Sequence, residues 1–85
     1  MKIKPSIIRN LDSQQSYKVQ EICIDNDVDI DCGEWMPIHT DDPVIIIFNF
    51  GNSVRLTTSD DNNLQVEDEE STELTFKEFM DLYDI

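Results

Sequence analysis

Basic residues are scarce in this chain: 6 Lys+Arg stand against 19 Asp+Glu in 85 residues, a formal net charge of −13. That balance excludes ordinary DNA or RNA binding, because phosphate recognition depends on Lys and Arg. Anionic membrane surfaces would repel the chain for the same reason. Long hydrophobic runs are missing too, with nothing near the ~20 apolar residues that span a bilayer. Glycine is almost absent: Gly33 and Gly51 alone cannot build a phosphate-cradling loop. One histidine, His39, and two cysteines, Cys23 and Cys32, cannot complete a four-ligand zinc site without carboxylates. A nucleophile would have only His39 as its base, and a lone histidine near Pro37 reads as a loop residue. No enzymatic activity, cofactor or metal is expected.

The series Asp25-x-Asp27-x-Asp29 has the alternate-carboxylate spacing with which a calcium loop begins. An EF-hand needs Gly at its sixth position and Glu at its twelfth. Counted from Asp25 these are Ile30 and Met36, and counted from Asp27 they are Cys32 and Ile38. Both registers fail.

The length fits a single domain over 1–85, with a core necessarily small. Half of the basic charge (Lys2, Lys4 and Arg9) falls in the first nine residues, but Pro5 interrupts them and no apolar stretch follows. A cytoplasmic location is therefore expected, in the host cytoplasm if a phage encodes the chain, with both cysteines reduced. Hydrophobic residues make up 39% of the chain and fall in ordered patterns, which argues against disorder.

Those patterns predict an α+β fold: an antiparallel sheet of four or five strands with one C-terminal helix. The clearest hairpin covers about 44–58, where Gly51-Asn52 separates Val44–Phe50 from an alternating run. It places Asn49 opposite Val54, Phe48 opposite Arg55 and Ile47 opposite Leu56. One face gathers Ile45, Ile47, Val54 and Leu56, and the other Val44, Ile46, Phe48 and Phe50. A second hairpin is expected over about 17–32, turning at Asp25-Asn26-Asp27 and presenting Glu21, Asp29 and Asp31 on one face. A short strand is expected at about 64–67. Residues 76–84 read as a helix: Thr75 and Glu78 form a capping box, Leu74 and Phe79 a staple, and Phe76, Phe79, Met80 and Tyr83 an apolar stripe. Its expected seat is the Phe48/Phe50 side of the sheet.

The acids are not mixed with bases. Asp25, Asp27, Asp29, Asp31, Glu34, Asp41 and Asp42 form one base-free block; Asp60, Asp61, Glu67, Asp68, Glu69, Glu70 and Glu73 form another. Solubility alone is served by interspersed signs and a net charge of roughly 2–8. The excess points to a negative field aimed at a basic partner. Alternate residues on a strand lie about 6.6 Å apart on one face, so Asp29 and Asp31 present regularly spaced charge. In size, charge and patterning the chain resembles the DNA-mimic inhibitors that phages make against restriction enzymes, CRISPR effectors or uracil-DNA glycosylase. The resemblance implies a partner with a basic groove, a nucleic-acid-binding enzyme or effector complex, met through these acids and Glu21. An immunity or antitoxin protein plugging a basic nuclease is one alternative; an adaptor domain with incidental acidity is another. Tight binding also wants an apolar anchor, and Trp35 with Met36 is the candidate pair.

Overall fold

The computed structural model describes residues 3–31, 36–65 and 71–84. In chain order the elements are β1 (Ser6–Ile8), α1 (Ser13–Asp25), β2 (Val28–Ile30), β3 (Val44–Phe50), β4 (Ser53–Ser59), β5 (Thr72–Leu74) and α2 (Phe76–Tyr83). The strands form one five-stranded sheet in the order β2-β4-β3-β1-β5.

The β3–β4 hairpin is the centre of this sheet, and its register is the expected one: Asn49 faces Val54, Phe48 faces Arg55 and Ile47 faces Leu56. Gly51 opens the turn at φ 61°, a backbone conformation that glycine adopts without a steric penalty. The rest of the sheet is mixed rather than antiparallel. β1 runs antiparallel to β3, but β2 pairs parallel with β4 and β5 parallel with β1. Only β3 therefore runs against the other four strands.

The expected hairpin over 17–32 does not form. Tyr17 to Ile24 belong to α1, and Val28–Ile30 pairs with β4 instead. Two features decide for the helix. Asp12 accepts a hydrogen bond from the Gln15 backbone N–H at 2.8 Å, while the Gln15 side chain accepts from the Asp12 N–H at 3.1 Å. This capping box satisfies donors that a helix start leaves open. Ser16, Val19, Gln20 and Cys23 then recur at helical spacing and are buried, joined by Ile22. Two polar members made that stripe hard to see as apolar. Parallel strands also need a crossover, and α1 is the one that links β1 to β2 across the sheet.

α2 occupies the expected residues. Thr75 Oγ1 accepts from the Glu78 N–H at 3.1 Å and Glu78 Oε1 accepts from the Thr75 N–H at 3.1 Å. Its seat is the opposite one to that expected. Phe79 is fully buried among Ile8, Ile45, Ile47, Leu56 and Leu74, with Phe76, Met80 and Tyr83 packed alongside. Val19, Ile22 and Cys23 of α1 join the same cluster, so both helices cover one face of the sheet. Each aliphatic side chain buried there contributes about 1.5–3 kcal/mol.

Neither helix packs on the Val44/Ile46/Phe48/Phe50 face. Val44 and Ile7 are buried on it, Ile46 and Phe48 are half-buried, and Phe50 is 58% exposed. The strand expected at 64–67 is not seen at Leu64 and Gln65, where Asp61 and Leu64 close a turn. Val66 and Glu67 lie outside the described residues. The fifth strand is Thr72–Leu74.

Candidate protein-interaction surface

Ten of the fifteen acids expected to meet a partner lie among the described residues: Glu21, Asp25, Asp27, Asp29, Asp31, Asp41, Asp42, Asp60, Asp61 and Glu73. All are exposed except Asp42, which is half-buried. Glu34, Glu67, Asp68, Glu69 and Glu70 fall outside the described residues, as do Trp35 and Cys32.

Alternation on β2 sorts the first group. Val28 and Ile30 point into the core and Asp29 points out, with Asp31 one step beyond the strand. Asp29 stands beside Arg55 of β4 in the parallel register, and Asp31 Oδ1 lies 3.7 Å from Arg55 Nη1. Glu21 does not join this row. It lies on α1, across the sheet from Asp29, because the segment that carries it is helical. There it lines a shallow groove of about 270 Å³ with Tyr17, Ile24, Asp25, Met36 and Pro37. Met36, one of the two expected anchors, is 64% exposed.

The sheet ends bring the two sequence blocks together. Val44 pairs with Ser59, so Asp41 and Asp42, which precede β3, sit at the same sheet end as Asp60 and Asp61, which follow β4. Asp42 Oδ2 accepts from Thr58 Oγ1 at 2.7 Å, and Asp41 Oδ1 accepts from Ser13 Oγ at 3.2 Å. Asp61 Oδ1 accepts from the Asn63 N–H at 2.9 Å. These bonds orient the carboxylates while adding no positive charge. At the same end Arg9 donates to the Asn62 carbonyl at 2.8 Å and to Glu73 Oε1 at 3.0 Å.

Among the described residues only two ion pairs form, Arg9–Glu73 and Arg55–Asp31. Most of the described acids therefore face solvent without a described cationic neighbour in salt-bridge contact. Some of it is placed against the helices. The last turn of α1 has no base and ends on Asp25, and the last turn of α2 has none either, with Asp84 at its cap. Helix C-termini carry partial negative charge, so acids there oppose folding by about 0.3–1 kcal/mol each.

Other chemistry is thinly represented. Cys23 is a free, buried thiol whose pKa burial pushes up to about 12, which leaves it unreactive. His39 is exposed on a loop with φ 44°. Among the described residues no group of three or more His, Cys, Asp or Glu converges to hold a metal ion, and no helix is long and apolar enough to cross a membrane. No family model matches this chain, and no curated protein or solved structure matches it.

Phe50 is an exposed aromatic that the hydrophobic pattern does not mark, because the pattern puts it beneath α2; with the helix on the other face it is more than half exposed. The Arg55 guanidinium lies over it at 4.4 Å from the ring centroid.

Proposed function

We propose that this protein is a small acidic inhibitor that occupies the basic groove of a nucleic-acid-binding protein or nuclease in place of polynucleotide, acting in the cytoplasm. The observation that carries the reading is the placement of the described acids: nearly all exposed, with ion pairs only at Glu73 and Asp31, and with Asp25 and Asp84 at helix C-termini where they oppose folding. Charge that lowers stability and is mostly left without an internal cation is explained by an external one. A basic groove supplies many such cations and is built to neutralise regularly spaced negative charge.

The two features that suit this role are the Asp29/Asp31 edge of β2 and the sheet end that joins Asp41 and Asp42 to Asp60 and Asp61. Charge of this kind accelerates encounter and confers strong salt sensitivity. A panel of basic DNA-binding nucleases assayed for cleavage with and without the protein provides the test. At least one should be inhibited, and the variant carrying Asp41→Asn, Asp42→Asn, Asp60→Asn and Asp61→Asn should inhibit it at least tenfold less, about 1.4 kcal/mol. Inhibition that survives neutralisation of both this end and the β2 edge would overturn the reading.

A further inference from the structure

We infer that the sheet face away from the helices is a docking surface for an arginine-bearing protein segment that also carries an apolar side chain. The inference rests on the proposed function and locates where, within it, tight contact is made.

The face has three parallel stripes. β3 supplies Ile46, Phe48 and Phe50; β4 supplies Ser53, Arg55 and Thr57; β2 supplies Asp29, with Asp31 beyond it. Register sets them side by side, with Phe48, Arg55 and Asp29 in one row and Ile46 and Thr57 in the next. Neither helix covers this face. Phe50 is more than half exposed, Ile46 and Phe48 are half-buried, and both aspartates are open to solvent. An apolar stripe and an acidic one on the same face, with the Ser53/Arg55/Thr57 stripe between them, complement a segment that is both apolar and cationic.

Arg55 shows how a guanidinium fits there. It lies 4.4 Å from the Phe50 ring centroid and 3.7 Å from Asp31 Oδ1, between an aromatic face and a carboxylate. Both partners favour a cation, through the ring quadrupole and through direct charge. A foreign arginine approaching from the β2 side meets Asp29 and the outer side of Asp31, with Arg55 between them and Phe50.

Charge also selects the occupant. A second copy would bring another −13 against this one, with its own Asp29 and Asp31. Nucleic acid and anionic lipid are repelled for the same reason. A cationic protein surface is the partner whose charge complements the face, and an apolar side chain seated on Phe48 and Phe50 supplies the desolvated anchor that charge alone lacks.

Two synthetic peptides of equal positive charge, one of arginine alone and one alternating arginine with leucine, test this by calorimetry and amide-shift mapping at low salt. The alternating peptide is expected to bind about tenfold more tightly, the scale of burying one apolar side chain. Its shifts should centre on Ile46, Phe48, Phe50 and Arg55. Phe50→Ser should remove the advantage while leaving oligoarginine binding unchanged, and a cooperative melting transition confirms that the variant is folded. An advantage that survives Phe50→Ser, shifts centred on the Tyr17–Met36 groove, or a dimer of the protein alone that Phe50→Ser dissolves would each overturn the assignment. If neither peptide binds, the broader reading of the acidic surface fails with it. If oligoarginine binds but leucine adds nothing, only the docking face fails.

Discussion

The guanidinium of Arg55 lies 4.4 Å from the centre of the Phe50 ring, on the sheet face that no helix covers. The pair spans the hairpin diagonally, since Phe50 itself is opposite Ser53 and Arg55 is opposite Phe48. Contacts of this kind at exposed sites contribute about 0.5–1 kcal/mol. Phe50→Ala should therefore lower the urea-derived stability by no more than about 1 kcal/mol. Ile47→Ala, three residues earlier and fully buried, should lose about 2–5 kcal/mol. A loss at Phe50 as large as that at Ile47 would mean the ring is part of the core.

Acids at helix ends supply the next expectation. Asp25→Lys and Asp84→Lys each replace an unfavourable charge at a helix C-terminus with a favourable one. Each should raise stability by about 0.3–1 kcal/mol or somewhat more at low salt, with the gain shrinking as salt is added. Thermal melts of the two single variants at low and high salt measure it. Lower melting temperatures for both would show that these aspartates support the fold.

Gln20 joins α1 to the loop before β3. Its side chain donates to the Ile38 carbonyl at 2.8 Å and to Ser16 Oγ at 3.1 Å, and it accepts from the Ile38 N–H at 2.8 Å. Gln20→Leu removes both bonds to Ile38, and a buried group left without a partner costs about 1–3 kcal/mol. Hydrogen exchange should accelerate at the Ile38 amide before the rest of the sheet is affected. Protection at Ile38 equal to the parent protein would show that another group holds this loop.

Cys23 gives a pH dependence with a definite sign. Its thiol titrates near the ordinary value of 9.0 when unfolded and at about 12 when folded, because burial disfavours the thiolate. The folded state holds the proton longer, so this group's contribution to stability is intact below about pH 9 and is lost as pH rises toward 12. Within that window the slope approaches about 1.4 kcal/mol per pH unit at most. Cys23→Ala should flatten the decline measured by urea titration. In the native protein near neutral pH, Cys23 should resist a thiol reagent until global unfolding, and rapid labelling would contradict its burial.

The central hairpin was legible because its signals agree: a β-branched run, a Gly-Asn turn and an alternating second strand all specify one register. α2 was legible through Thr75, Glu78 and the Phe76–Tyr83 stripe. α1 was not, although Asp12 and Gln15 carry a capping box of the same kind as Thr75 and Glu78. Tyr17, Val19 and Cys23 alternate well enough to imitate a strand, while the helical stripe includes Ser16 and Gln20, whose burial depends on each other and on Ile38. Polar residues satisfied only by tertiary partners carry no hydrophobic periodicity. That one difference moved Glu21 off the acidic row and made β2 a parallel partner of β4, while the parallel pairing of β5 with β1 is a separate departure from the antiparallel expectation. Asp29 and Asp31 kept their outward placement because strand alternation is local. The meeting of Asp41 and Asp42 with Asp60 and Asp61 follows from the Val44–Ser59 pairing, which the hairpin register already implied. Phe50 as a solvent-facing aromatic could be found only after the helices were assigned to the other face.

The most direct measurement is competition for a basic DNA-binding nuclease that the protein inhibits, followed by fluorescence anisotropy across a salt series. The account predicts that the protein and duplex DNA displace each other, and that affinity falls by at least tenfold between about 50 and about 200 mM salt, as release of several ion contacts requires. A complex that forms with DNA still bound, and whose affinity is indifferent to salt, would contradict the claim that these carboxylates stand in for a polynucleotide.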